Sequence, residues 1–245
     1  MEIVTLHAEG EIAWLTMNRP EALNAFDQPM VDAMMARLKD LAADRRVRAA
    51  ILTGKGRSFS TGVDLTALTS GKIKVGWFRD FQRLIEALEQ IEIPLVIGAR
   101  GDCLGGGLML LLAGDYRIAG DDLRAALGSV QHGIVPGSAP FQLPLAIGML
   151  GARRLCLFGE TIDASEALRI GLVDRVVPAS RVEQVAHAAA ERVAKFPRAA
   201  VRETKRLLVQ AASFNLSRFA RDYLEAQQRC FDSGAATDLK GNRRA

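Results

Sequence analysis

Gly101-Asp102-Cys103-Leu104-Gly105-Gly106-Gly107-Leu108-Met109 is the stretch on which the fold turns. An apolar run at 95–99, introduced by Pro94, precedes it and predicts a strand; the apolar run at 108–113 that follows predicts a helix. Strand, glycine turn and helix in that order belong to the α/β class. Bare backbone N–H groups at such a turn favour negative charge, and two of them converging from separate turns make an oxyanion hole. Tight packing of a helix against a strand accounts for the same glycines.

The pattern continues on both sides. Upstream, 75–92 reads as a helix with Phe78, Phe81, Leu84, Ile85 and Leu88 on one face, and 48–53 reads as a buried strand closed by Gly54-Lys55-Gly56. Asp27 is an N-cap for a helix to about 42, with Pro29 tolerated in its first turn. The runs 2–7 and 11–17, joined at Glu9-Gly10, predict a hairpin. Downstream, 115–119 is one more strand. After Val177-Pro178 the strand signals stop, and 182–195, 199–212 and 215–231 read as three helices separated by Pro197 and Ser213. The expected organisation is therefore a core over 1–185 and a helical region over 186–245. That region carries Val201, Leu207, Leu208, Val209, Phe214, Leu216, Phe219, Tyr223 and Leu224, more apolar side chains than one core face buries, so an oligomer contact is expected there.

Composition narrows the function classes. The 245 residues are 49% hydrophobic and 24% charged, ordinary for a globular chain and unlike a disordered one. No run of about 18 uncharged apolar residues is present, so no membrane span and no membrane partner are expected. The start Met1-Glu2-Ile3 lacks a signal-peptide pattern. Cys103, Cys156 and Cys230 are far apart and form no CxxC pair, which excludes a zinc ribbon and predicts no metal. A reducing, cytoplasmic setting is expected. Residues 186–245 carry 12 Lys and Arg against 6 Asp and Glu, while the rest carries 20 against 22. This basic segment is interleaved with acids and has no aromatic ladder, so a nucleic-acid partner is not expected. The glycine segments lack GxxxxGK[ST], and Gly54-x-Gly56 lacks the third glycine of a dinucleotide fingerprint.

Several blocks together resemble the crotonase, or enoyl-CoA hydratase/isomerase, superfamily. They are Leu15-Thr16-Met17-Asn18-Arg19-Pro20 with Leu23-Asn24-Ala25, Phe59-Ser60-Thr61-Gly62-Val63-Asp64-Leu65, Leu104-Gly105-Gly106-Gly107, Gly133-Ile134-Val135-Pro136-Gly137, and 164–177 with Gly171-Leu172-Val173. They occur in family order over nearly the whole chain. The resemblance implies a spiral of ββα units followed by a C-terminal helical region that packs trimers or hexamers. It implies an acyl-CoA ligand, with coenzyme A as part of the substrate and no tightly bound cofactor. Val63 N–H and Gly106 N–H are then the oxyanion donors. Leu23, Ala25 and Ser60 are expected to contact coenzyme A, with Phe231 and Lys240 supplying part of the cover over its adenine.

One departure stands out. Hydratases of this superfamily carry one glutamate two residues after the glycine triplet, where this chain has Met109. They carry a second four residues before the glycine of the Gly-Ile-Val-Pro block, where it has Ser129. Neither side chain is a carboxylate base. No Asp or Glu lies between Leu123 and Phe158 to fill the second position. His132 is a candidate base, or a residue pointing away from the acyl group. Asp102 is a candidate acid, or a solvated turn residue. Cys103 is a candidate nucleophile, or a small buried residue. Asp64 reads as loop-structuring. His7 and His187 read as surface residues. The expectation is a crotonase-like enzyme with chemistry other than ordinary hydration, or an acyl-CoA-binding protein without turnover.

Overall fold

A computed structural model describes residues 2–213 and 216–232. The strands in chain order are β1 (Val4–Glu9), β2 (Ile12–Met17), β3 (Ala49–Gly54), β4 (Leu95–Ala99), β5 (Asp102–Leu104), β6 (Tyr116–Gly120), β7 (Arg124–Ala126), β8 (Ile162–Asp163) and β9 (Arg175–Val177). Their order is β1-β2-β3-β4-β6-β9 in one sheet and β5-β7-β8 in a second. The helices are α1 (Gln28–Ala43), α2 (Leu65–Thr69), α3 (Val75–Gln90), α4 (Gly106–Leu112), α5 (Ala139–Phe158), α6 (Ala164–Arg169), α7 (Val182–Ala194), α8 (Arg198–Ser213) and α9 (Leu216–Asp232). The α/β expectation holds. The β1–β2 pair is antiparallel, and the rest of the six-stranded sheet is parallel.

A parallel sheet covered on both faces needs strands that are apolar on both sides. All six residues of β3 are buried. Its side chains alternate, so Ala50 and Leu52 join Leu15, Met34, Leu84 and Ile97 in the main core under α1 and α3. Ala49 and Ile51 face the other way and meet Val182, Ala186, Ala190 and Ala194, a stripe at four-residue spacing on α7. A Cβ on Gly98 would come within 3.1 Å of Val182, so helix and sheet lie in close contact. The expected division at 185/186 falls inside α7, and this first C-terminal helix covers the second face of the sheet.

Several elements were not visible in the sequence. β5, β7 and β8 are two or three residues long and lack periodicity. α4 starts at Gly106, two residues before its apolar run, so two glycines form its first turn. α5 has an interior Pro144 and breaks at Gly148, whose φ is +75°, which masked its pattern. It is long and apolar enough to cross a membrane, against the expectation that no such segment exists. The break, together with Arg153 and Arg154, makes it a poor span.

α5 also moves the exposed apolar surface. Expected on the C-terminal helices, it lies, among the described residues, largely on α5, where Leu145 is 67% exposed and Leu150 and Phe158 are each 78% exposed. Leu207 and Leu208 of α8 are exposed as well, whereas Tyr223 of α9 is buried within its own chain. The expected contributions of the Phe214, Leu216 and Phe219 side chains lie outside the described residues.

Asn24 ties the hairpin to the loop after β3. It is fully buried with a left-handed φ of +55°, a conformation asparagine tolerates better than most residues. Its Nδ2 donates to the carbonyls of Lys55 (3.0 Å), Ser58 (2.9 Å) and Phe59 (3.1 Å). Its Oδ1 accepts from Arg19 N–H at 3.0 Å. Removing this amide strands buried backbone groups, each of which then costs roughly 1–3 kcal/mol. Asn24→Ala is therefore expected to lower the unfolding free energy by about 2–4 kcal/mol, measured by urea denaturation. A loss under about 1 kcal/mol would show that the clamp is not structural.

Candidate active site

The two glycine segments meet. Ser60 N–H donates to Asp102 O at 3.1 Å and Leu104 N–H donates to Ser60 O at 2.9 Å, a parallel bridge that draws the segments together. Beyond it the backbones touch. A Cβ on Gly62 would overlap Gly106 N, and one on Gly107 would overlap the Ser60 carbonyl oxygen. Gly62 also has a φ of +78°, so glycine is required there on both counts.

The hydrogen bonding around Val63 fixes the direction of its N–H. Phe26 N–H donates to Gly62 O at 2.7 Å, and Asp64 N–H donates to Phe26 O at 2.9 Å. Val63 N–H, between them on an extended backbone, points away from Phe26. Gly106 opens α4, where the first N–H groups have no intrahelical acceptor. Gly105 N–H donates to Ala126 O at 2.8 Å, and the N–H groups of Leu108 and Met109 donate to Gly105 O. Neither Val63 N–H nor Gly106 N–H has an acceptor among the described residues. Both residues line one cavity of about 820 Å³.

The Phe81 ring backs this corner. A Cβ on Gly106 would lie 2.8 Å from Phe81 Cζ, and Phe81 in turn stacks on Trp77 at 5.1 Å and meets Phe26 edge-on at 5.3 Å. Arg19 also lines the cavity and is held between Asp27 (3.2 Å) and Asp64 (3.1 Å). Asp64 caps α2 by accepting from Ala67 N–H at 3.0 Å, in keeping with a loop-structuring role.

The structure brings together some of the expected residues and separates others. Leu23, Ala25, Met109, Ser129 and His132 line the same cavity as Val63 and Gly106. Met109 is buried and packs so closely on Gly137 that a Cβ there would overlap its thioether. Ser129 Oγ has no hydrogen-bond partner among the described residues. His132 is half-buried, and burial lowers its pKa below the ordinary 6.5, so the imidazole is neutral at pH 7.

Ser60 does not reach the cavity. It is fully buried, with Oγ donating to Asn24 O at 2.8 Å and accepting from Gly62 N–H at 3.1 Å, so it braces the loop from behind. Asp102 lies outside the lining, near Ser58 Oγ (3.3 Å) and Arg124 (3.4 Å). Cys103 is fully buried, and burial pushes its thiol far up, which removes it as a nucleophile. Phe231 is not in the lining itself but packs edge-on, at 5.8 Å, against Phe78, which is. Lys240 lies outside the described residues. His187 is half-buried and stacks on Trp14 at 5.9 Å, where a plain surface residue was expected.

Tyr223 was missed as a cavity residue. It projects from α9 into the lining, one turn before Gln227, whose Oε1 accepts from Val135 N–H at 2.8 Å. The four-residue spacing of Tyr223 and Gln227 was the available signal for a shared inward face. Among the described residues no group of three or more His, Cys, Asp or Glu side chains is placed to hold a metal ion.

Comparison with known proteins gives the family and the fold. The family model described as enoyl-CoA hydratase/isomerase matches residues 7–242. A "Probable enoyl-CoA hydratase" of Rhizobium meliloti (strain 1021) is 32% identical over 238 residues, covering 97% of this chain and 91% of the relative. A "Short-chain-enoyl-CoA hydratase" of Clostridium acetobutylicum is 32% identical over 236 residues, covering 94% and 90%. The crystal structure of an enoyl-CoA hydratase/isomerase from Mycobacterium paratuberculosis superposes with a TM-score of 0.89 at 27% identity, covering 97% of each chain. With the blocks, the fold and the paired glycine loops in agreement, this chain belongs to the enoyl-CoA hydratase/isomerase family.

Proposed function

We propose that the protein binds an acyl-CoA thioester with its carbonyl oxygen between Val63 N–H and Gly106 N–H. The observation that carries this reading is the pair of unpartnered N–H groups, on touching backbones, at one cavity wall. Two such donors stabilise the negative charge that develops on the oxygen when the α carbon loses a proton or the carbonyl is attacked. They are backbone groups, so their presence does not depend on which side chains surround them. Leu23 and Ala25 line the same cavity and are proposed to contact the coenzyme A portion. A cytoplasmic setting fits the free, buried thiols of Cys103 and Cys156.

The chemistry proposed is not ordinary hydration. Met109 and Ser129 stand where the resemblance places the two hydratase glutamates, and neither exchanges a proton near neutral pH. His132 is the lining residue best suited to accept one. The alternative is an acyl-CoA-binding protein without turnover, which the thioether and hydroxyl at those positions also favour.

General acid–base groups contribute typically about 10²–10⁴-fold each, so crotonyl-CoA hydration is expected to be slower than in an ordinary hydratase by roughly 10⁴–10⁸. Met109→Glu combined with Ser129→Glu is expected to raise it. A wild-type kcat within the usual range of about 1–10³ s⁻¹ would overturn the proposal. A higher Tm with acyl-CoA and no turnover on a panel of thioesters would select the binding protein.

Where turnover is found, its pH profile tests His132. The neutral imidazole is the base, and its pKa lies below 6.5. The rate is therefore expected to hold level through pH 7 and to fall only below pH 6.5, with that acid limb absent in His132→Gln. A limb centred above pH 7, or one unchanged in the variant, assigns the base elsewhere.

The exposed apolar faces of α5 and α8 are proposed to meet in a homotrimer or a dimer of trimers. Apolar surface is stabilised by about 25 cal/mol for each Å² removed from water, so a patch of this kind left wet is unfavourable. Sedimentation at micromolar concentration is expected to give an oligomer that Leu150→Glu plus Phe158→Glu weakens. A wild-type monomer would contradict it.

A further inference from the structure

The segment that follows Val63 has little packing of its own. Helix α2 is five residues long, and Leu68 is its one buried side chain. Arg19, just after β2, ties this segment down. Its Nη1 lies 3.2 Å from Asp27 Oδ2 and donates to Ala25 O at 3.1 Å, while its Nη2 lies 3.1 Å from Asp64 Oδ2. Each carboxylate divides its two oxygens. Asp27 Oδ1 accepts from Met30 N–H and Asp64 Oδ1 from Ala67 N–H, each at 3.0 Å, so one oxygen caps a helix and the other meets the arginine.

The two acids are neighbours because Phe26 and Val63 pair in parallel, and Asp27 and Asp64 are the next residues along. Adjacent carboxylates repel. A planar guanidinium with two separate arms holds both in a fixed geometry, which a single ammonium does not. The Asp27 end is firm, since α1 buries Met30, Val31 and Met34, and Phe26 is fully buried against the edge of Phe81. The Asp64 end has no such anchor, so the arginine carries the position of α1 to the residue beside Val63. Asn24 braces the other end of the same loop through the carbonyls of Ser58 and Phe59, and Arg19 N–H donates to Asn24 Oδ1 at 3.0 Å. The two braces are therefore joined.

We propose that Arg19 is a positioning residue for the oxyanion donor at Val63. By locking Asp64 to Asp27 it keeps the Val63 peptide turned toward the thioester oxygen, and hydrogen bonds weaken steeply as their angle departs from linear. This rests on the reading of the cavity as an acyl-CoA site and adds the residue that sets the angle of one donor.

The test uses two probes on the intact protein. One is 4-dimethylaminocinnamoyl-CoA, whose absorption moves to longer wavelength as charge is drawn onto its thioester oxygen. The other is free coenzyme A, titrated calorimetrically. Asp64→Asn keeps a good capping residue on α2 but turns an amide toward the arginine. Arg19→Gln removes the fork, and Arg19→Lys keeps the charge without it. The wild type is expected to displace the absorption band of the bound ester to longer wavelength. All three variants are expected to lose about half of that displacement or more. The Kd of free coenzyme A is expected to stay within about twofold. Asp64→Asn separates position from charge, because loss of a negative charge near the oxygen would by itself enlarge the displacement. It is also isosteric, so it decides the matter if Arg19→Gln does not fold. A full or enlarged displacement in Asp64→Asn would overturn the inference. So would binding of free coenzyme A weakened about tenfold in Arg19→Gln with the displacement intact, which would make Arg19 a phosphate contact. A bound ester with no displacement in the wild type would overturn the acyl-CoA reading itself.

Discussion

Everything at the site depends on the contact between two backbones. Gly62 lies against Gly106, and Gly107 lies against the Ser60 carbonyl, with no space for a Cβ at either junction. That closeness sets two N–H donors from distant parts of the chain at one wall. Directional groups in a dry site do most when they are held in place beforehand, because no reorganisation is needed as charge develops. Here the restraint is layered. Asn24 gathers the carbonyls of Lys55, Ser58 and Phe59, Ser60 Oγ bridges Asn24 O and Gly62 N–H, and the Ser60–Cys103 bridge closes the second segment onto the first.

The frame explains why these loops can be so exposed to chemistry and yet fixed. β3 and β4 run parallel at the centre of a sheet buried on both faces, and each strand ends near one of the glycine segments. α7 seals the far face with a stripe of small residues, while Phe81 of α3 stands behind Gly106 on the near face. The donors are peptide groups and do not titrate. Any pH dependence in the neutral range therefore falls to side chains around the cavity, of which His132 is the one whose ordinary pKa lies nearest.

Much of the fold was legible in the sequence where a local rule and a tertiary need coincide. Asp27 caps α1 by accepting from Met30 N–H at 3.0 Å, the strand expected at 95–99 is β4, and the helix expected from 75 is α3. Legibility failed where length or composition concealed the period. The short strands of the second sheet have none, and α5 is interrupted by Pro144 and Gly148. At the site, the glycine loops were legible because close backbone approach leaves a mark in composition. The roles of side chains beside them were not. Ser60 and Asp102 sit in the right segments but face the loop's supports, since alternation along an extended backbone turns neighbours to opposite sides. In the sequence pattern the apolar ring of Tyr223 groups it with the interface side chains, whereas its place on α9 turns it inward.

The most direct measurement of the central claim is isotope-edited infrared spectroscopy of an acyl-CoA carrying ¹³C at its thioester carbonyl. Two N–H donors aimed at that oxygen polarise the C=O bond. On binding, the carbonyl stretch is predicted to narrow and move to lower wavenumber than in water. A bound ligand whose stretch stays at its solution position, or moves to higher wavenumber as in an apolar pocket, would contradict the pairing of Val63 and Gly106 at the carbonyl.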